Sequence, residues 1–114
     1  MENCLFCSII DGKIPCEKVY EDEFVFAFKD INPEAPVHVL IIPKKHISSM
    51  NSLEETDGLI AFNIFAAAKK IAMELGVSES GYRVVNNCGI DAGQTVHHIH
   101  FHLLGGRNLS WPPG

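Results

Sequence analysis

Positive charge is scarce in this sequence: nine Lys and Arg stand against fourteen Asp and Glu, a formal net charge of −5. No basic run and no basic amphipathic stretch occurs, so the expected partners include no nucleic acid and no membrane. Long apolar runs are missing as well, and none nears the ~20 residues that a bilayer-spanning helix needs. A charged segment followed by an apolar one, the mark of an export signal, is not found at the N-terminus, and a cytoplasmic setting is expected. In that reducing setting four cysteines point to thiols or metal ligands rather than disulfides. Internal repeats, low-complexity tracts and linkers do not occur. With 46% of its residues apolar, the chain can pack as one domain over 1–114.

The stretch that organises the rest runs from Gly93 to Gly106. At its centre His98, Ile99, His100, Phe101, His102 and Leu103 alternate histidine with large apolar residues. Side chains of a strand alternate between faces, so the three histidines should line one face and Ile99, Phe101 and Leu103 the core. Successive histidines then stand roughly 7 Å apart and the outer pair about 13 Å apart, too far to ligate one metal together. His97 falls on the opposite face and reads as structural.

Upstream, Cys4 to Ile10 forms one or two helical turns closed by Asp11-Gly12. Lys18 to Glu21 and Phe24 to Lys29 pattern as a hairpin turning at Glu21-Asp22-Glu23, with Phe24, Phe26 and Phe28 on one face. Prolines make Asp30 to Pro36 a loop, and β-branched residues make Val37 to Ile42 a strand that Pro43 ends. Ser52-Leu53-Glu54-Glu55 has the form of a capping box, predicting a helix from Ser52 to Leu75 that Gly76 stops. Its expected apolar face is Leu59, Phe62, Ile64, Phe65, Ala68, Ile71, Ala72 and Leu75. Gly81 to Asn87 is a further strand. Short antiparallel strands with one short and one long helix imply an α+β fold.

Several groups carry chemistry. Gly89 to Thr95 precedes the histidines, and its two glycines permit a backbone nest for an oxyanion, with Gln94 and Thr95 as added donors; a plain turn is the alternative. Cys4 and Cys7 have the spacing of half a metal site, and His46 with one of the triad could complete it. A redox pair is the rival, although no strand precedes the motif. His38, flanked by Val37 and Val39, reads on its own as a histidine satisfied by core hydrogen bonds. Asp30 either caps its turn or accepts hydrogen bonds from a sugar diol. Cys16 and Cys88 read as ordinary thiols, with Cys88 placed beside the glycine loop.

At His98-x-His100-x-His102-Leu103-Leu104 the sequence resembles the histidine triad (HIT) superfamily, and its Hint branch of purine nucleoside phosphoramidases in particular. Ala35-Pro36-x-His38, Ile42-Pro43-Lys44-Lys45-His46-Ile47-Ser48, Gly81-Tyr82-Arg83, Gly93-Gln94 and the closing Trp111-Pro112-Pro113-Gly114 extend the likeness over nearly the whole chain. The resemblance implies a five-stranded antiparallel sheet with two helices, paired into a homodimer with a ten-stranded sheet. It implies a nucleophile at His100, forming a nucleotidyl-histidine that water releases as AMP or GMP. His102, Thr95, Gly93 and Gln94 would stabilise phosphoryl charge, His38 would orient the nucleophile, and Asn87 would line the phosphate site. Asp30 would hold the ribose, and Phe6, Ile9, Phe28 and Ile31 would wall the base. Trp111 of a partner's tail would approach the site. Bacterial relatives carrying the cysteine pair bind zinc, which implies Cys4, Cys7, His46 and His98 as ligands. Hydrolysis of dinucleoside polyphosphates, and a nucleotide- or partner-binding module with incidental catalysis, are the alternative functions.

Overall fold

The computed structural model describes residues 3–114. Its centre is β3 (Val37–Pro43), the strand in which alternate side chains serve different layers. His38, Leu40 and Ile42 point to one face of the sheet, while Val39 and Ile41 enter the main core on the other. That double burial is why the segment reads as a nearly continuous β-branched run. On one side β3 pairs with β2 (Val25–Lys29), which pairs with β1 (Lys18–Glu21); on the other it pairs with β5 (Phe101–Gly105), which pairs with β4 (Tyr82–Asn86). All pairings are antiparallel, in the order β1-β2-β3-β5-β4.

Two helices cover the two faces. α1 (Leu5–Ile10) lays Phe6 and Ile9 over Phe26, Phe28, Leu40 and Ile42. α2 (Gly58–Glu74) packs Ile64, Ala67, Ala68, Ile71 and Ala72 against Val25, Ile41, Phe101 and Leu103. Ile41, Ile64, Ile71 and Leu103 are fully enclosed, and each such side chain contributes about 1.5–3 kcal/mol by leaving water. Gly76 adopts φ 75° just past the helix end, the left-handed turn that glycine adopts without a Cβ penalty.

Some sequence expectations shift. α2 begins at Gly58, not Ser52, because the reciprocal cap forms at Glu54 and Asp57 instead. Ser52 ends a separate 3-10 turn (Met50–Ser52), and its hydroxyl meets that of Ser48 at 2.8 Å. The Asp57 carboxylate serves twice, accepting from Glu54 N–H at 3.0 Å and from Lys45 Nζ at 2.7 Å. Lys45 therefore ties the segment after β3 to the start of α2. Phe24 lies before β2, not in it, and packs against the α2 core while Phe26 and Phe28 face α1. The turn is set by Asp22, whose Oδ1 accepts from both Phe24 and Val25 N–H.

α2 departs most from expectation. Leu59, Phe62 and Phe65, assigned to the buried face, are 60%, 67% and 56% exposed. Leu59 and Phe62 form with Met73 a second apolar stripe on the side of the helix opposite Ile64 and Ile71, while Phe65 turns its ring toward Phe101 of the core at 5.9 Å. Among the described residues, Leu59, Phe62 and Met73 thus leave an apolar stripe of α2 exposed.

Candidate active site and metal centre

The histidine segment is regular only in part: β5 starts at Phe101, so His98, Ile99 and His100 precede the strand instead of lying in it. The alternation survives because the chain stays extended, with Ile99 N–H bonded to Ile47 O at 2.6 Å. Ile99, Phe101 and Leu103 enter the α2 core, while Phe6 on the α1 face touches both His98 and His100 edge-on. His97 is not packed in the opposite core. It is exposed and lines a groove with Thr95 and His46.

Hydrogen bonds to backbone settle the ring tautomers. His100 Nδ1 lies 2.8 Å from the His98 carbonyl. A carbonyl only accepts, so Nδ1 carries the proton and Nε2 keeps a free lone pair. His38 shows the reverse: Nδ1 accepts the Glu34 N–H at 3.0 Å, which puts the proton on Nε2. That Nε2–H points at His102 Nδ1, 2.9 Å away, with Asp30 Oδ2 at 3.3 Å. His102 Nδ1 therefore accepts, and its Nε2–H is left as a donor. His38 thus orients His102 and makes no contact with His100 of this kind. One nucleophilic nitrogen and one aimed donor stand on adjacent rings, whose centroids are 5.4 Å apart.

His102 is neutral at pH 7. Burial, then the nearby His100 and His38, push its pKa down to about 4, against a small opposing pull from Asp30. It acts as a neutral hydrogen-bond donor rather than as a cation.

His100 and His102 open into a cavity of about 380 Å3. Phe6, Ile9, Phe28, Ile31, Asp30 and Thr95 line it as the sequence reading expected, with Ile31 at its exposed rim. Asp30 also caps its turn, accepting Asn32 N–H at 2.8 Å, so the capping and ligand readings are compatible. Gly93 and Gln94 are not brought to the cavity wall. Their N–H groups close the loop on Ile90 O and Gly89 O, and the Gln94 amide binds Gly89 N–H, Ser48 O and Val96 O. Asn87 and Trp111 also lie elsewhere: Asn87 lines a separate cleft, and Trp111 is exposed beneath the Arg83 guanidinium. Sequence reasoning missed Leu40 as a wall residue, although its register with His38 on one strand face could have shown it. It also missed Asn86, whose Nδ2 donates to His100 O at 2.9 Å; no motif marks that residue.

Behind the cavity, Cys4, Cys7, His46 and His98 bring their ligand atoms within 4.8 Å of one another. Cys4 Sγ and Cys7 Sγ lie 3.4 and 3.6 Å from His98 Nδ1, and Cys7 Sγ lies 3.5 Å from His46 Nδ1. A tetrahedral ion with bonds of about 2.3 Å to sulfur and 2.05 Å to nitrogen needs sulfur–nitrogen edges of about 3.6 Å. The donor set therefore fits such a metal. His98 Nε2 donates to Pro43 O at 2.8 Å, which frees Nδ1 for the cluster. Burial holds His98 below the ordinary histidine value, in the neutral form that a ligand requires.

The His102 environment carries a sign. Its folded pKa of about 4 lies below the ordinary value near 6.5, so the unfolded chain takes up the proton first. Stability from this group is full above about pH 6.5, declines as pH falls and levels off below about pH 4. The His102 ring resonance should titrate in NMR with a midpoint near 4; a midpoint near 6.5 would contradict the buried neutral donor.

Against known proteins, residues 11–109 match the model of the HIT domain. The chain is 46% identical, over 99% of its length and 98% of the other, to an uncharacterized HIT-like protein of Synechocystis. The crystal structure of a HIT family hydrolase from Legionella pneumophila superposes with a TM-score of 0.96 at 54% identity, covering 98% of this chain and 100% of that one. A histidine triad nucleotide-binding protein from Candida albicans gives 0.83 at 36% identity, over 96% and 83%. The order of strands, the spacing of the histidines and the extent of these matches agree: the chain belongs to the HIT family.

Proposed function

We propose that the protein is a nucleotide hydrolase that cleaves the bond between the α-phosphorus of a purine nucleoside monophosphate and an amine, with AMP or GMP as product. The observation that carries this reading is the free His100 Nε2 lone pair, presented to the cavity by the Nδ1–H bond to His98 O. Binding alone does not require a desolvated nucleophile. In the first step His100 Nε2 forms a bond to phosphorus as the bond to the leaving amine breaks. In the second, water cleaves the nucleotidyl-histidine and regenerates the imidazole. The Nε2–H of His102 and the Thr95 hydroxyl stabilise charge on the phosphoryl oxygens. Asp30 faces the same cavity with acceptor capacity left for a ribose diol, and Phe6, Phe28 and Ile9 provide an apolar slot for a base. The fold likeness to a HIT family hydrolase supports the reaction class, and the likeness to a histidine triad nucleotide-binding protein supports the ligand.

Two further parts belong to this reading. Zinc fits the Cys4, Cys7, His46 and His98 donor set, with His98 and His46 entering through Nδ1. When bound it would supply structural cross-linking between α1 and the segment before β5, with no role in the displacement itself. Second, two copies of the chain would pair across α2 and β4. β4 is an edge strand with an unpaired ladder side, and α2 carries the exposed Leu59, Phe62 and Met73.

Purified protein should release AMP from adenosine 5′-phosphoramidate, and His100→Ala should lower kcat by at least ~10³-fold, as loss of a nucleophile does. Equal rates in the two proteins would remove His100 from the reaction. Elemental analysis of protein made without added metal should find about one zinc per chain, absent from a Cys4→Ser, Cys7→Ser variant; a metal-free, fully stable wild type would reject the metal site. Light scattering should give about twice the 12.6 kDa chain mass, falling to one chain in Phe62→Asp. A wild-type monomer at micromolar concentration would reject the pairing.

A further inference from the structure

The sheet face that carries the triad continues past it. Leu104 follows His102 on that face of β5, and on β4 Val85 stands opposite His102 and Arg83 opposite Leu104. Val85, Leu104 and Asn87 floor a cleft of about 370 Å3, and the C-terminal segment closes its side. Read across the strands, the nucleoside cavity spans β2, β3 and β5, His102 stands on β5 with His100 just before it, and this cleft lies over β5 and β4. A substrate with its phosphorus at His100 has its nucleoside on one side of the histidines and this cleft on the other.

Its charge is unusual for the molecule. The sequence has two arginines, Arg83 and Arg107, and both line this cleft, with no Asp or Glu side chain beside them. In a chain of net charge −5, neither guanidinium has a carboxylate within ion-pair distance among the described residues; the ion pairs are made by lysines and His38. Both are instead aimed by carbonyls. Arg83 Nη2 donates to Leu109 O at 3.3 Å and Ser110 O at 3.1 Å, and its guanidinium lies over the Trp111 ring at 6.0 Å. Arg107 donates through Nε to Glu34 O at 3.1 Å and through Nη1 to Asn108 O at 3.0 Å. Each keeps most of its five N–H donors for another acceptor. A planar fork of donors without an Asp or Glu partner, held in place and facing a cleft that Gly114 also lines, suits a carboxylate or phosphate.

We propose that this cleft is the leaving-group subsite and that it selects amines carrying an oxyanion, such as the carboxylate of an amino acid. The inference rests on the hydrolase reading above and adds the class of group departing from phosphorus. It involves no new bond chemistry: the P–N bond breaks as the bond to His100 forms, and the amine takes its proton from water.

The test compares two phosphoramidates of adenosine 5′-monophosphate, one made with β-alanine and one with its neutral isostere β-alaninamide. Wild-type protein should favour the carboxylate by about tenfold or more in kcat/KM, the scale of one charge-assisted contact, and the preference should shrink as salt is raised. Arg107→Gln and Arg83→Gln should each move the ratio of the two rates toward one, and the lysine variants should retain part of it. Because the ratio is taken within one protein, a variant that merely loosens the tail or lowers the folded fraction leaves it unchanged. A wild-type ratio near one, or a ratio that survives both glutamine substitutions, overturns the subsite and assigns the arginines to holding the tail. Turnover of unsubstituted phosphoramidate with neither β-alanine derivative cleaved overturns the subsite alone. No turnover of any of the three overturns the hydrolase reading and the subsite with it.

Discussion

The site depends on one hydrogen bond, from His100 Nδ1 to the carbonyl of His98, two residues earlier. A neutral imidazole has a single lone pair, and a donor–acceptor partner on one nitrogen decides where that pair goes. Here the acceptor is part of the same stretch of backbone, so the choice follows from keeping residues 98 to 100 extended. Three anchors keep it so. The Ile99 amide is held by Ile47 O, the Ile99 side chain is buried in the α2 core, and the His100 carbonyl is held by Asn86. His98 adds a fourth, through the Nε2 bond to Pro43 O. The His100 ring is oriented by packing on the far side of the sheet as much as by its neighbours in the cavity.

α1 joins the other two functions in six residues. Cys4 caps the helix and Cys7 lies in its first turn, so both sulfurs point at His98. Phe6, between them in sequence, turns the other way along the same face and meets Phe28 and His100. A metal at the cysteines would therefore fix Phe6 on the cavity wall and the backbone just before His100 together. Helices this short are marginal alone, since nucleation costs more than a few hydrogen bonds return. Tertiary ties have to hold α1, and the cluster supplies them.

Much of this was legible in the sequence because it rests on period. The alternation at His98 to Leu103 divides core from cavity even though regular strand geometry starts only at Phe101. The β3 run and the Cys4–Cys7 spacing were legible for the same reason, each mapping a local pattern onto a face. What was not legible depends on competition between equivalent local signals. Ser52 with Glu55 has the form of a capping box, but the cap forms at Glu54 because Asp57, buried and bound to Lys45 from another segment, reaches back to its N–H. The apolar count of α2 does not say which side faces the sheet, and Phe62 and Leu59 turn out to face solvent. Gln94 looked like a ligand donor and is a loop brace, because three backbone groups lie within reach of its amide. Asn86 carries no motif, and its importance exists only through the β4–β5 register.

The residues around Glu34 show how the two sides of the triad are mechanically joined. The Glu34 N–H fixes the His38 tautomer, and the Glu34 carbonyl accepts from Arg107 Nε. His38 in turn orients His102, whose Nε2–H is left as a donor. A single peptide loop carrying Pro33 and Pro36 thus connects the Arg107 guanidinium to the hydrogen bond between His38 and His102. Displacing Arg107 would disturb the His38 tautomer lock for every substrate alike, whereas a lost contact to a departing oxyanion would be felt by that substrate alone. Positioning and recognition by one arginine are therefore separable, and the two-ring relay of His38 and His102 is the element through which the first would act.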